Sequence, residues 1–313
     1  MNQLRLSLRQ LQIFLAVVEH GSTSAAADNI ALSQSATSAA LNELERILAM
    51  RLFDRVSKRL LINDNGRTLL PQALALLDAA SNIERWAEAE QLPSGGLRIG
   101  ASTTIGNYLL PNILADFRQA LPVSAQAKWQ AQVTIENTAA ITQKLVNFEL
   151  DIGLIEGYCH EPELIVSPWL EDELVIVSAN NDPILADSLA LPENQAQLIP
   201  LQALRQAVWL LRELGSGTRE AINQALLPHL HHLQEGIRFG NSEAIKYATM
   251  NGLGISCLSR FVVADMLETG KLVILPTVLP KFTRRFYIVM HKQKKPSHGL
   301  TRLLQHLERL GAG

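Results

Sequence analysis

At 313 residues the chain exceeds the size at which a single hydrophobic core usually stops growing, so two domains or more are expected. Apolar residues make up 47% and charged residues 19%, which supplies packed cores and excludes a disordered polymer. The formal net charge is −2, from 28 basic and 30 acidic residues, so any phosphate backbone must be held by a local basic patch.

Cys159 and Cys257 are the only cysteines in the sequence. Their separation forms no metal knuckle and no CxxC pair; a single bridge stays open, and reduced structural thiols are the expectation. Arg5 and Arg9 lead into an amphipathic pattern without a secretory signal, and no window approaches the roughly 20 apolar residues that span a bilayer. A cytoplasmic location without membrane attachment follows as an expectation.

In chain order, Leu8, Leu11, Phe14, Leu15 and Val18 keep the three-and-four spacing of one helix face, and Gly21 stands where that helix stops. Ser22 caps a second short helix with Ala25, Ala26 and Ile30 inward. Ser33 caps a third, with Ala36, Ala40, Leu44 and Ile47 on its buried side. Leu52-Phe53 and Leu60-Leu61-Ile62 read as two short strands joined by residues 54–59. Six of the eight bases in the first 67 residues lie between Arg46 and Arg67, and Arg55, Lys58 and Arg59 fall at or near the hairpin tip. Helices followed by a basic hairpin make a winged helix-turn-helix over residues 1–63.

A long helix is expected over 64–92. Leu69, Ala73, Leu76, Ala80, Ile83 and Ala87 alternate at coiled-coil spacing, a stripe suited to a partner helix. Pro71 lies inside it, so the helix either kinks there or starts later. Pro93-Ser94-Gly95-Gly96 reads as a linker. Beyond it, apolar strand-length runs (97–101, 152–155, 174–177, 208–211, 255–258) alternate with helical patterns, the signature of parallel α/β sheets. The expected effector-binding domain covers 97–313 in two lobes, one of about 97–167 and 280–313, the other of about 168–279, with crossings at Pro168 and at 276–280.

The third helix carries Ser35, Ser38, Asn42 and Glu45 at three-four-three spacing, a polar face of short side chains for a major groove. Gln34 and Asn42 can bond an adenine edge bidentately, while Ser33, Ser35, Thr37 and Ser38 can reach bases or phosphates. The cations come from Arg55, Lys58 and Arg59.

The run from Gly21-Ser22 through Ala26-Ala27-Asp28-Asn29-Ile30, Ser33-Gln34-Ser35-Ala36-Thr37-Ser38, Leu41, Leu44-Glu45 and Leu52-Phe53-Asp54-Arg55 resembles the N-terminal domain of LysR-type transcriptional regulators. The match runs from about Leu8 to Gly66. It departs at Ala49, where that family commonly has glycine. The remainder resembles the family's effector domain, two α/β lobes like those of periplasmic solute-binding proteins with the ligand between them. It is most similar to the YeiE-like branch in its runs 102–108, 215–220 and 240–246. The resemblance implies promoter DNA and a small-molecule effector as partners, and a homodimer assembling to a tetramer.

Those three runs each follow an expected strand and open an expected helix, so hydroxyls and backbone N–H groups face the strand ends, a setting for a small anion. Ser102, Thr103, Thr104, Ser216, Thr218, Arg219, Asn241 and Ser242 are the candidate ligands, joined by Asn137 and Thr138 after the strand 131–136. Glu156 repels an anion unless protonated or paired and enters as cleft lining only. Arg219 is expected either to meet the ligand or to pair with Glu213 or Glu220. His229, His231 and His232 lack a carboxylate or thiol at ligand spacing and read as a solvated helix end, so no metal or other cofactor is expected. No nucleophile elbow, Walker or Rossmann pattern supports catalysis. The alternative is a small-molecule binding protein or enzyme whose helical head is an interaction module, a reading for which the basic wing has no use.

Overall fold

The computed structural model describes residues 5–56, 59–88, 96–127, 129–185 and 198–311; for 82 and 84–88 only the helical backbone is described. The chain divides into two compact units, Met1–Gly95 with Gln293–Ser297, and Gly96–Lys292 with His298–Gly313. The linker helix, expected as a segment of its own, belongs to the first unit. Pro93, Ser94 and Gly95 lie outside the described residues.

In the first unit, α1 (Leu8–His20) starts at Ser7, whose hydroxyl accepts from the Gln10 amide while the Gln10 side chain accepts from Ser7. It ends at Gly21 with φ 66°, the left-handed cap that glycine adopts at no steric cost. Ser22 caps α2 (Thr23–Asn29) and Ser33 caps α3 (Gln34–Leu48), as the spacing predicts. Leu11, Phe14, Val17, Ala26, Leu41, Leu44 and Leu52 form the core.

The face of α3 is rotated from the expected one. Thr37, Leu41, Leu44 and Glu45 point inward, while Ala36 is exposed. The reason is Glu45, whose buried carboxylate accepts from the Leu52 amide at 2.8 Å and from Arg51 at 2.7 Å. It holds the entry to the wing, and the helix turns to bring it there. Thr37 is fully buried, so this candidate DNA contact is withdrawn from the exposed face.

Helix α3 closes at Ala49 in a left-handed conformation, φ 54°. A side chain there is strained by about 1–2 kcal/mol, against about 0.5–1 kcal/mol of extra entropy for glycine in the unfolded chain. Ala49→Gly is therefore expected to stabilise this unit by about 0.5–1 kcal/mol, read calorimetrically as a rise of roughly 2–8 °C in its transition.

The wing is a hairpin of β1 (Phe53–Val56) and β2 (Arg59–Ile62) with a shorter connection than expected; Arg55 and Arg59 stand on the strands, and Lys58 lies outside the described residues. Helix α4 (Asp64–Glu88) runs through Pro71 without ending. Its stripe serves two purposes. Leu69 and Ala73 pack on the unit's own core, while Leu76 and Ile83 are 50% and 65% exposed. The side chain of Ala87 is outside the description.

The second unit runs β3 (Leu97–Ser102), α5 (Thr103–Tyr108), α6 (Leu110–Gln119), α7 (Val123–Gln126), β4 (Ala131–Glu136), α8 (Thr138–Val146), β5 (Ile152–Glu156), β6 (Leu164–Ala179) and α9 (Leu201–Gln206). It continues with β7 (Val208–Arg212), α10 (Gly217–Leu230), β8 (Gln234–Phe239), α11 (Ser242–Met250), β9 (Ser256–Ser259), α12 (Arg260–Glu268), β10 (Leu272–Ile274), β11 (Phe282–His291) and α13 (His298–Gly311). The main sheet has the order β10-β6-β11-β5-β3-β4, with β9 also on β6, and β7 pairs β8 apart from it.

The expected all-parallel pattern is corrected here. Among the described strands β3–β4, β3–β5 and β7–β8 pair in parallel, while the long β6 and the returning β11 run antiparallel through the middle. At the crossing expected at Pro168 the chain is a strand: Pro168 lies inside β6 opposite Tyr287, beside a register shift that tolerates its missing N–H. Separate cores form around Ile141, Leu145 and Ile155 on one side of this ribbon and around Trp209, Leu211 and Ile222 on the other.

Candidate functional sites

On the first unit, Ser33, Gln34, Ser35 and Asn42 are exposed and Ser38 half-buried along α3. Ser33 Oγ caps Ala36 and meets Ser35 Oγ at 3.1 Å, and Gln34 Nε2 donates to Thr23 Oγ1 at 3.2 Å. The wing leans on the turn before α2 through a Leu60 N–H to Gly21 carbonyl bond of 2.8 Å. Hairpin pairing of Arg55 with Leu60 and of Val56 with Arg59 puts the two arginines on opposite faces of the ribbon. Both are exposed and hold no ion pair with a described residue. The result is a polar helix flanked by solvated cations.

In the second unit the strand-to-helix junctions converge on two buried arginines that the sequence reading did not single out. Arg284 on β11 donates Nε to Asp172 at 2.7 Å and forms an ion pair with Glu156. Thr104 and Thr218 each donate a hydroxyl to Glu156, at 2.9 and 2.8 Å, and Ser259 donates to Asp172 at 2.7 Å. Burial pushes the Glu156 carboxyl up, but the charge of Arg284, the two threonine hydroxyls and Arg212 outweigh it and hold it below the usual range. Asp172 goes the other way: burial raises it, Arg284 and Ser259 offset only part, and Glu156 adds repulsion. Glu156 is thus paired, and Thr138 donates to its backbone carbonyl at 2.8 Å.

Arg212, at the end of β7, is fully buried. Its Nη1 donates to Thr103 Oγ1 at 2.7 Å and to Ser242 Oγ at 3.2 Å, joining helix starts α5 and α11. Its Nε and Nη2 grip the Glu213 carboxylate side-on at 2.7 and 2.8 Å. Asn137, which caps α8, also donates to Glu213 at 3.1 Å. Burial raises Glu213, and the bonds from Arg212 and Asn137 with the arginine's charge bring it below the ordinary value. Ser102 Oγ is buried with no partner.

The remaining candidates are brought elsewhere. Ser216 and Asn241 cap α10 and α11, and Asn241 stays exposed. Arg219 pairs with Glu235 at 2.8 Å, rather than with Glu213 or Glu220, and donates to the Arg212 carbonyl. Hydrogen bonds from Arg219 and Arg238 lower Glu235 to about 2. Among the described residues no three His, Cys, Asp or Glu side chains gather as a metal site, and no helix is long and apolar enough to cross a membrane.

Residues 8–67 match the model of the bacterial regulatory helix-turn-helix protein, lysR family, and residues 90–312 match that of the LysR substrate binding domain. The chain is 43% identical to the HTH-type transcriptional regulator YeiE of Escherichia coli strain K12 over 97% of this chain and 98% of that one. Its fold matches ArgP from Mycobacterium tuberculosis with a TM-score of 0.69 at 19% identity, covering 99% and 98% of the two chains. It also matches full-length CbnR complexed with its target DNA, with a TM-score of 0.60 at 19% identity and 97% and 100% coverage.

Proposed function

The chain belongs to the LysR family of transcriptional regulators, and from that premise we propose a cytoplasmic regulator whose promoter binding is set by a small anion held between the lobes of its effector domain. Catalysis has no part in this reading. The CbnR comparison, a relative of this fold solved on DNA, supports placing α3 in a major groove with the wing on the backbone. Leu76 and Ile83, exposed on α4, support a homodimer through that helix, which would set two recognition helices on successive grooves, and a tetramer through the effector domains completes the assembly.

Removing the wing cation in Arg55→Ala is expected to weaken binding to every DNA sequence and lower the salt slope by about one unit. Asn42→Ala should instead relax discrimination at one base position by roughly 1–3 kcal/mol. Anisotropy titrations on specific and scrambled duplexes at several salt concentrations separate the two.

The observation that carries the anion is the hydroxyl set around Arg212. Ser102, Thr103 and Ser242 are buried, and none donates a hydrogen bond to a described residue. Two idle hydroxyls on one buried guanidinium, with a third on Ser102 next to Thr103 in the chain, call for an acceptor with several oxygens. Glu213, one-quarter exposed and now holding Arg212 Nε and Nη2, is the group such an anion must displace. Glu213→Gln is therefore expected to tighten anion binding about tenfold by removing a competing charge, and Arg212→Gln to abolish it. A thermal-shift panel of sulfate, nitrate, phosphate and acetate on the full chain checks this, since an anion at about 100 times its Kd stabilises by about 2.7 kcal/mol. Unchanged shifts in both variants would remove the anion from this site.

A further inference from the structure

Beside the cleft, α10, the first half of β11 and residues 157–158 border a groove of about 330 Å³. Lys281, Thr283, Arg285 and Tyr287 line it together with Phe282 and with Arg284, whose guanidinium donates to Thr218 of α10. Small side chains Ala221 and Ala225 on α10 keep it open, and Tyr158, just past β5, closes one end.

The charge in this groove is not internally matched. Lys281 and Arg285 are exposed and hold no ion pair or hydrogen bond with a described residue. Glu171 stands opposite Arg285 in the strand register without pairing to it, and Glu173, opposite Thr283, is taken by Arg260 at 3.1 Å. Arg284, at the groove's floor, is taken by Glu156 and Asp172. Two unengaged cations against one unengaged carboxylate favour an anion. At the other end the Tyr158 and Tyr287 rings lie 6.4 Å apart at 40°, and Tyr158, stacked with His160 at the same distance, is still 53% exposed.

We propose that this groove is a second ligand site, for a planar aromatic ring carrying one carboxylate or phosphate. The ring lies on Tyr158 and Tyr287, the acid group between Lys281 and Arg285, and Thr283 supplies a hydroxyl donor. The volume suits one ring with its acid group and not a polymer. Gly157 and Arg284 form the wall shared with the buried Glu156 network, and α10 borders both.

Isothermal titration of the full chain with phenyl phosphate and with benzoate tests the proposal, with phenol and inorganic phosphate as half-ligand controls. The expected result is saturable binding of the ring acids, weaker binding of both controls, and a loss of about tenfold or more in Lys281→Ala combined with Arg285→Ala and in Tyr158→Ala, all at exposed positions where folding is not at stake. Arg212→Gln should leave this binding unchanged. Absence of saturation up to about 10 mM overturns the site. So does binding that survives the groove variants and disappears in Arg212→Gln, which would put the ring acid in the cleft instead.

Discussion

Arg284→Gln is expected to destabilise the effector unit by about 3–5 kcal/mol, because it leaves two buried carboxylates facing each other without their common cation. Arg284 is the one group that reaches Asp172, Glu156, Thr218 and Thr104 together. For a unit of this size the loss corresponds to a fall of roughly 6–20 °C in its calorimetric transition. Adding Glu156→Gln to Arg284→Gln should return part of it, since one buried charge then disappears with its partner; the coupling between the two positions is the quantity a double-mutant cycle reads. Cys257 provides an independent readout. Burial pushes its thiol up to about 12, so it stays unreactive to disulfide reagents in the native chain and its labelling rate reports opening. Equal labelling in wild type and Arg284→Gln would mean that the arginine holds nothing in place.

Gly217→Ala is the second large effect. A Cβ at this position would stand 1.7 Å from the Glu156 carbonyl oxygen and 2.7 Å from Thr138 Oγ1, and a Cβ on Gly157, at φ 83°, would stand 2.9 Å from the Gly217 Cα. Backbone cannot yield as a flexible side chain does, so the start of α10 must move off the end of β5. That movement strains Thr218 to Glu156 and the Ala139 N–H to Gly215 carbonyl bond, which tie the two sides of the cleft. The cost is about 1–3 kcal/mol against the closed arrangement, enough to shift its population by 5- to 150-fold. Gly217→Ala should therefore bind operator DNA with wild-type affinity and fail to respond to the anion. A variant that still responds in full would show that cleft closure does not carry the signal.

The helical head was legible because its signals are local. Ser22, Ser33 and Gly21 act within three or four residues of themselves, and the sequence places them unambiguously. What misled was Glu45: a carboxylate at three-four-three spacing reads as part of a solvated face, yet it is buried for the sake of an amide seven residues on. Thr37 went with it. The cleft was legible at its helix starts, whose hydroxyl runs are contiguous, and illegible at its centre, because Arg284 meets Asp172 and Thr104 at separations of 112 and 180 residues. One signal was there to be used. Arg284 sits in phase with Phe282, Phe286 and Ile288, so an alternating strand already turned it inward. Arg212 likewise follows an apolar run directly, at the strand end where ligands of α/β folds gather. The long antiparallel ribbon was not legible, because the apolar run 174–177 marks only the end of β6, and Pro168 stands inside that strand beside a register shift that absorbs it.

DNA reading under the control of a small anion is tested directly by one titration. Fluorescence anisotropy of the full chain is followed on a duplex from upstream of its own coding region and on a scrambled duplex, each with and without the anion found by thermal shift. The expected result is binding of the specific duplex about a thousandfold tighter than of the scrambled one, and a change of at least about fivefold with the anion that disappears in Arg212→Gln. Equal affinity for the two duplexes, or the same anion response in Arg212→Gln as in wild type, would contradict it.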